Sequence, residues 1–199
     1  MLNERVQDET SEGRERLMEA ALELFTERSF VDVPIHEIAE AAGMTRSAPY
    51  YHFRNKEDLY AAVMKRQFAL IFTEMSERLA AATTLRESLL AIITVVTEMS
   101  RTPFGRFMND FRQHMSEGIQ RSIMSETIRP SEFFLPVFER AYAAGEFQRV
   151  PPQVAVQYFF MALVGYREIS TKEAALFQGD PDRGLPSPDD LVDFILRGI

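Results

Sequence analysis

The chain has 199 residues, 46% hydrophobic and 26% charged, with a formal net charge of −8 and no cysteine. That profile is globular; it excludes disulfides, thiolate metal sites and cysteine nucleophiles. A pI near 5.0 excludes a bulk cationic nucleic-acid binder, whose pI exceeds about 9. The first sixteen residues, MLNERVQDETSEGRER, lack a basic-then-apolar leader. The longest apolar run, 154–166 broken by Gln157, is shorter than the ~20 residues a bilayer requires. A cytoplasmic protein with no membrane partner is expected.

Glycine is scarce, strand-like alternation is rare and helix starts recur, so the fold class is all-α. A first helix is predicted over 11–27, with Leu17, Ala21, Leu24 and Phe25 on one face of a 3.6-residue period. A short second helix opens at Pro34, whose missing N–H costs nothing there, and buries Ile35, Ile38, Ala39 and Ala42. Gly43 ends it, as a residue free to adopt positive φ. Thr45 is the next natural cap, so a third helix starts two residues later. With that cap, Pro49 deletes at most the first backbone bond of the helix; deeper inside it would cost about 3 kcal/mol or more.

Two short helices joined by a glycine-containing turn and braced by a third make a helix-turn-helix. Arg46, Ser47 and Ala48, which no apolar periodicity requires, sit on the leading turn of its second helix, where such motifs meet base edges. The run 41–56 contains no Asp or Glu, although the chain holds 30 acidic residues. A carboxylate there would repel a duplex. Asn55 reads as the cap of a fourth helix with Asp58 three residues on, which leaves Lys56 at a helix N-terminus that favours phosphate. The span 1–56 still carries 7 basic against 11 acidic residues, so non-specific binding should be weak.

The stretch RLMEAALELFTERSFVDVPIHEIAEAAGMTRSAPYYHFRNKEDLYAAVM resembles the TetR family of bacterial transcriptional regulators. AALELF, IAEAAGMT and YYHFRNKEDL carry the resemblance, in order and over about fifty residues. It implies an N-terminal three-helix DNA-binding domain, 1–56, and a C-terminal helical effector-binding and dimerisation domain, 57–199. It implies DNA contacts from Thr45, Arg46, Ser47, Ala48, Tyr50, Tyr51, His52 and Lys56. Thr45 and Lys56 would reach phosphates, Arg46 could pair with guanine, and Ala48 suits a thymine methyl. Tyr50 and Tyr51 lie about 100° apart on a helix, so one should pack partly inward, with Tyr51 the more exposed. His52 offers a ring N–H to phosphate or packs inside; Phe53 belongs to the core. Ser29, Val33 and Pro34 depart from the family pattern, and His36 is a substitute for the missing threonine anchors.

Beyond this, a long helix is predicted from Lys56 to about residue 82, spanning both regions. Thr84 and Glu87 form a capping box for a fifth helix, and Thr102 with Pro103 starts a sixth. The sixth carries an aromatic and methionine stripe of Phe104, Phe107, Met108, Phe111 and Met115. With Phe134, Phe138 and Phe159 it is a candidate ligand lining, although such stripes are more often plain core. Asn109 and His114 are possible polar partners of a ligand. Pro130 predicts a break and Pro136 a start or kink. A helix over 153–172 is apolar nearly all round, so it should face the core on one side and a second subunit on another. After the loop GDPDRGLPSP, Ser187, Pro188 and Asp190 start a last helix with Leu191, Phe194 and Ile195 inside.

The expected protein is a homodimer, joined through its last two helices, that binds a palindromic double-stranded DNA operator. As a repressor it would be released by a small, largely apolar or aromatic effector. The alternative is a dimeric DNA-binding regulator without such an effector, controlled by a protein partner. No enzyme is expected: three scattered histidines, no glycine-rich phosphate loop and no paired catalytic motif. Neither a cofactor nor a metal site is expected.

Overall fold

Leu17, Met18, Ala21 and Phe25 recur at helical spacing, and all are buried on α1, which runs Leu2–Glu27. The computed structural model describes residues 2–127, 130–172 and 187–198, with no strand among them. The helix starts nine residues before the predicted Ser11. Glu, Arg and Gln in that stretch are good helix formers, but apolar periodicity, the signal read from the sequence, is absent there. A 3-10 turn, Phe30–Asp32, leads to α2, Ile35–Ala41. Then come α3, Pro49–His52, and α4, Lys56–Ala81. The chain continues with α5, Leu85–Arg101, α6, Pro103–His114, and α7, Glu117–Thr127. It ends with α8, Pro130–Ala143, α9, Pro152–Lys172, and α10, Pro188–Gly198. No prediction anticipated α7. Most of the predicted loop 179–188 lies outside the described residues.

The chain forms two compact units, Met1–Leu70 with Thr102–Thr127, and Ile71–Arg101 with Ile128–Ile199. The unit holding the helix-turn-helix therefore does not stop at residue 56. It takes in the first half of α4 and all of α6 and α7.

In the first unit four rings meet. Tyr60 lies 4.9 Å from Phe25, 5.1 Å from Phe30 and 4.4 Å from Phe107, centroid to centroid. Each such pair contributes about 0.5–1.5 kcal/mol beyond its buried area. The Tyr60 hydroxyl donates to the Phe107 carbonyl at 2.5 Å. Burial, and then the nearby Asp110 charge, push that phenol far above its ordinary pKa, so it remains a donor. Asp110, itself buried, accepts the Phe30 backbone N–H at 2.6 Å. Thus α6 is joined to the 3-10 turn by a hydrogen bond as well as by packing.

In the second unit α5, α8, α9 and α10 enclose Leu89, Ile92, Phe138, Phe159, Leu163 and Val192. The predicted capping box closes α5: Glu87 N–H donates to Thr84 Oγ1 and Thr84 N–H to Glu87 Oε2. Ser187 and Asp190 make the same reciprocal pair at the start of α10. Pro136 does not break α8, which runs through it. It removes only the bond to residue 132, near the helix start, while Phe134, Val137, Phe138 and Ala141 hold the helix by burial. Phe194, expected inside, is 73% exposed. The buried set on α10 is Leu191, Val192 and Ile195, a stripe whose centre points about 100° away from residue 194.

Replacing Asp110 by Ala leaves the buried Phe30 N–H without an acceptor. Urea unfolding should show a loss of about 1–3 kcal/mol, and Asp110→Asn, which keeps an oxygen there, should lose less.

Candidate nucleic-acid interface

The turn after α2 is closed by two backbone bonds. Met44 N–H donates to the Ala39 carbonyl at 2.8 Å and Gly43 N–H to Glu40 at 3.0 Å. Gly43 sits at φ +67, as this pattern requires of the residue after the C-cap. The chain then enters α3 through bonds of the i to i+3 kind. Ala48 N–H donates to Thr45 O, Tyr50 N–H to Ser47 O and Tyr51 N–H to Ala48 O. Regular α-helix covers only Pro49–His52, shorter than predicted. The reason is Pro49: lacking an N–H it cannot serve the Thr45 carbonyl, and Ala48 serves it one residue earlier.

That geometry divides the eight predicted residues. Thr45, Arg46, Ser47, Tyr50 and Tyr51 face solvent together. Tyr51 is the more exposed tyrosine, 83% against 60%, but neither packs inward as one was expected to. Both side chains lie outside because the short α3 rests on Pro49 and Phe53 instead. Arg46 donates through Nε and Nη2 to Glu40 Oε1, at 3.2 and 3.1 Å.

The other three point elsewhere. Ala48, expected to meet a base methyl, is buried at 8% exposure, because its turn brings it onto the core side. His52 lies against α1, where a Cβ on Gly13 would stand 3.1 Å from its Nε2. Half-buried there, it takes the packed placement that was one of its two expected ones. Lys56 donates to the Phe30 carbonyl at 2.6 Å and the Val33 carbonyl at 3.1 Å. Its ammonium stands 4.1 Å from the centroid of the Phe30 ring. Burial pushes its pKa below the ordinary lysine value, with Glu57 and Asp32 opposing. This amine ties α4 to the 3-10 turn instead of standing free for phosphate.

Asn55 caps α4 as expected, accepting the Asp58 N–H at 2.8 Å, while Asp58 Oδ2 accepts the Arg54 N–H. Val33 is fully buried, so its side chain offers no anchor to a backbone phosphate. Sequence reasoning missed Gly13, which lets α1 approach His52 and Met44. An isolated glycine inside a helical pattern was the available signal.

Residues 17–63 match the model of the bacterial regulatory proteins of the tetR family. Over this stretch the chain carries a DNA-binding domain of the TetR type. Among its curated relatives, the HTH-type transcriptional regulator AcrR of Shigella flexneri is 37% identical over 59 residues. That match covers 30% of this chain and 27% of AcrR, so the likeness is confined to about a quarter of the relative. Solved structures extend the likeness of fold to nearly the whole chain. The superantigen PfiT aligns at TM-score 0.71 and 20% identity, over 94% of this chain and 95% of that one. The regulator FadR of Bacillus subtilis, solved with stearoyl-CoA, aligns at TM-score 0.67 and 18% identity, over 92% and 95%.

The candidate ligand residues fall into different units. Phe104, Phe107, Met108 and Phe111 belong to the first, where Phe104 packs near Phe68 and Phe107 completes the ring cluster around Tyr60. Phe134, Phe138 and Phe159 belong to the second. There Phe159 stands 5.8 Å from Phe134 and 5.7 Å from Phe138. Phe133 and Phe72, 4.9 Å apart and only partly buried, extend that group outward. His114 lies 3.9 Å from Asp110 and Asn109 is exposed. No group of metal-ligating side chains occurs among the described residues, and none of their helices is long and apolar enough to cross a membrane.

Lys56→Met should lower unfolding free energy by about 2 kcal/mol in a denaturant titration, because two carbonyls lose a charged donor. Arg54→Met, at a fully solvated neighbouring position, should stay within about 0.5 kcal/mol of wild type.

Proposed function

We propose that the chain is a DNA-binding transcriptional repressor that reads a palindromic operator as a homodimer and leaves it when a small apolar ligand binds. One observation carries the reading. Thr45, Arg46, Ser47, Tyr50 and Tyr51 stand exposed on one rigid turn, in a run of sixteen residues without a carboxylate. Thr45, Ser47 and Tyr51 hydroxyls suit phosphate oxygens, and the Arg46 guanidinium suits the O6 and N7 of guanine. Lys56, His52 and Ala48 support this edge from behind. The overall negative charge keeps non-specific affinity low, so selectivity comes from the base contacts.

Dimerisation is proposed through α9 and α10. Tyr158, Met161 and Val164 on α9 and Phe194 on α10 are large apolar side chains left in solvent, 38–73% exposed. Large apolar side chains exposed on the same two helices favour a partner surface, and an isologous dimer covers it with itself. Two recognition turns then meet successive major-groove faces ~34–36 Å apart. The effector is placed among the aromatic side chains of the second unit, Phe134, Phe138 and Phe159, reached past Phe72 and Phe133. FadR's stearoyl-CoA gives the class of ligand to try first, a long acyl chain.

Selection of bound duplexes from a random pool should return a palindrome. Arg46→Ala should erase a guanine preference worth about 1–3 kcal/mol in each half-site. Adding long-chain acyl-CoA to the same titration should weaken binding; a palindrome unchanged by Arg46→Ala would remove the base-reading assignment. Met161→Asp should shift the protein to monomer in sedimentation equilibrium and weaken operator binding at least tenfold, since it places a charge in the proposed contact.

A further inference from the structure

Glu40 is the last acid before the carboxylate-free run, and its carboxylate is engaged. It stands on α2 and accepts both Arg46 Nε and Arg46 Nη2 across the turn. The two side chains are well exposed, 74% for Arg46 and 55% for Glu40. An exposed ion pair of this kind adds little to folding, and the turn is already closed by backbone bonds at Gly43 and Met44. Stability therefore does not account for it.

A guanidinium presents two edges with parallel donors, one made by Nε and Nη2, the other by Nη1 and Nη2. Glu40 occupies the first. The second is left to another partner on a side chain that is 74% exposed, and it has the spacing to meet the O6 and N7 of a guanine. The geometry points to Glu40 as a positioning residue that pins the Arg46 guanidinium and makes it selective for guanine. This rests on the proposed base-reading role of the turn. An unpinned arginine on its flexible stem reaches phosphates and other acceptors nearly as well as guanine. A guanidinium held along one edge presents a fixed plane instead. The carboxylate also repels backbone phosphate, which discourages Arg46 from non-specific contacts. Solvent withdraws once the turn enters a groove, so the Arg46–Glu40 attraction strengthens on binding.

The test uses the full chain and the duplex chosen by the wild-type protein. Base by base, guanine is replaced by adenine to find the position whose preference Arg46→Ala abolishes. The guanine-over-adenine ratio at that position is then measured for Glu40→Ala, Glu40→Gln and the double variant with Arg46→Ala. Glu40→Ala should lower the ratio about tenfold while affinity for unrelated duplex holds or rises. Glu40→Gln, which keeps an acceptor oxygen, should fall between, and the double variant should match Arg46→Ala alone. A merely structural role would change affinity for all sequences by one factor; that result, or an unchanged ratio, overturns the proposal. Loss of preference in Arg46→Ala but not in Glu40→Ala would end only the positioning role. Indifference to Arg46→Ala would end the base-reading role and this inference with it.

Discussion

At Gly43 the backbone takes a positive φ that a residue with a Cβ rarely adopts, and the candidate interface depends on that conformation. It allows the N–H groups of Gly43 and Met44 to turn back onto α2, where they pair the Glu40 and Ala39 carbonyls and close the turn. Arg46 and Ser47 are thereby presented on a short, closed turn rather than on a loop. The same pattern recurs in the second unit, where Gly145 and Glu146 close α8 against Tyr142 and Ala141. Only the first of these two turns is followed by exposed Thr, Arg, Ser and Tyr.

Rigidity in that stretch comes from beneath. Ala48, Pro49 and Phe53 are buried, and Gly13 admits α1 close to His52 and Met44. Arg14 covers the Phe53 ring from α1 at 5.0 Å. Lys56 holds the carbonyls of Phe30 and Val33, which fixes the 3-10 turn that precedes α2. A family motif therefore contains residues with two different tasks. Some of its polar side chains meet solvent, while others satisfy backbone groups that burial would otherwise leave unpaired.

The position of α6 has a similar lesson. Its stripe reads in sequence as either pocket or core. In the first unit Phe107 stacks with the rings of α1 and α4, and Asp110 bonds the 3-10 turn. A helix far along the chain is thus part of the unit that carries the helix-turn-helix, by a separation of 80 residues between Phe30 and Asp110. Local periodicity reports which face of a helix is apolar; it carries nothing about which distant element covers that face.

The amino-acid sequence by itself determined the all-helical class, the glycine-closed turn, the first-turn position of Pro49, the caps at Asn55, Thr84 and Ser187, and the carboxylate-free run 41–56. Each of these is a local matter of backbone conformation, hydrogen-bonding side chains a few residues apart, or charge along a short run. Tertiary structure alone decided that Ala48, His52 and Lys56 turn inward, that Phe194 turns outward, that α6 joins the first unit and that Glu40 meets Arg46. Those outcomes depend on contacts between elements, and in a helix a side chain's neighbours are set by which surface packs against it, which spacing along one chain does not encode.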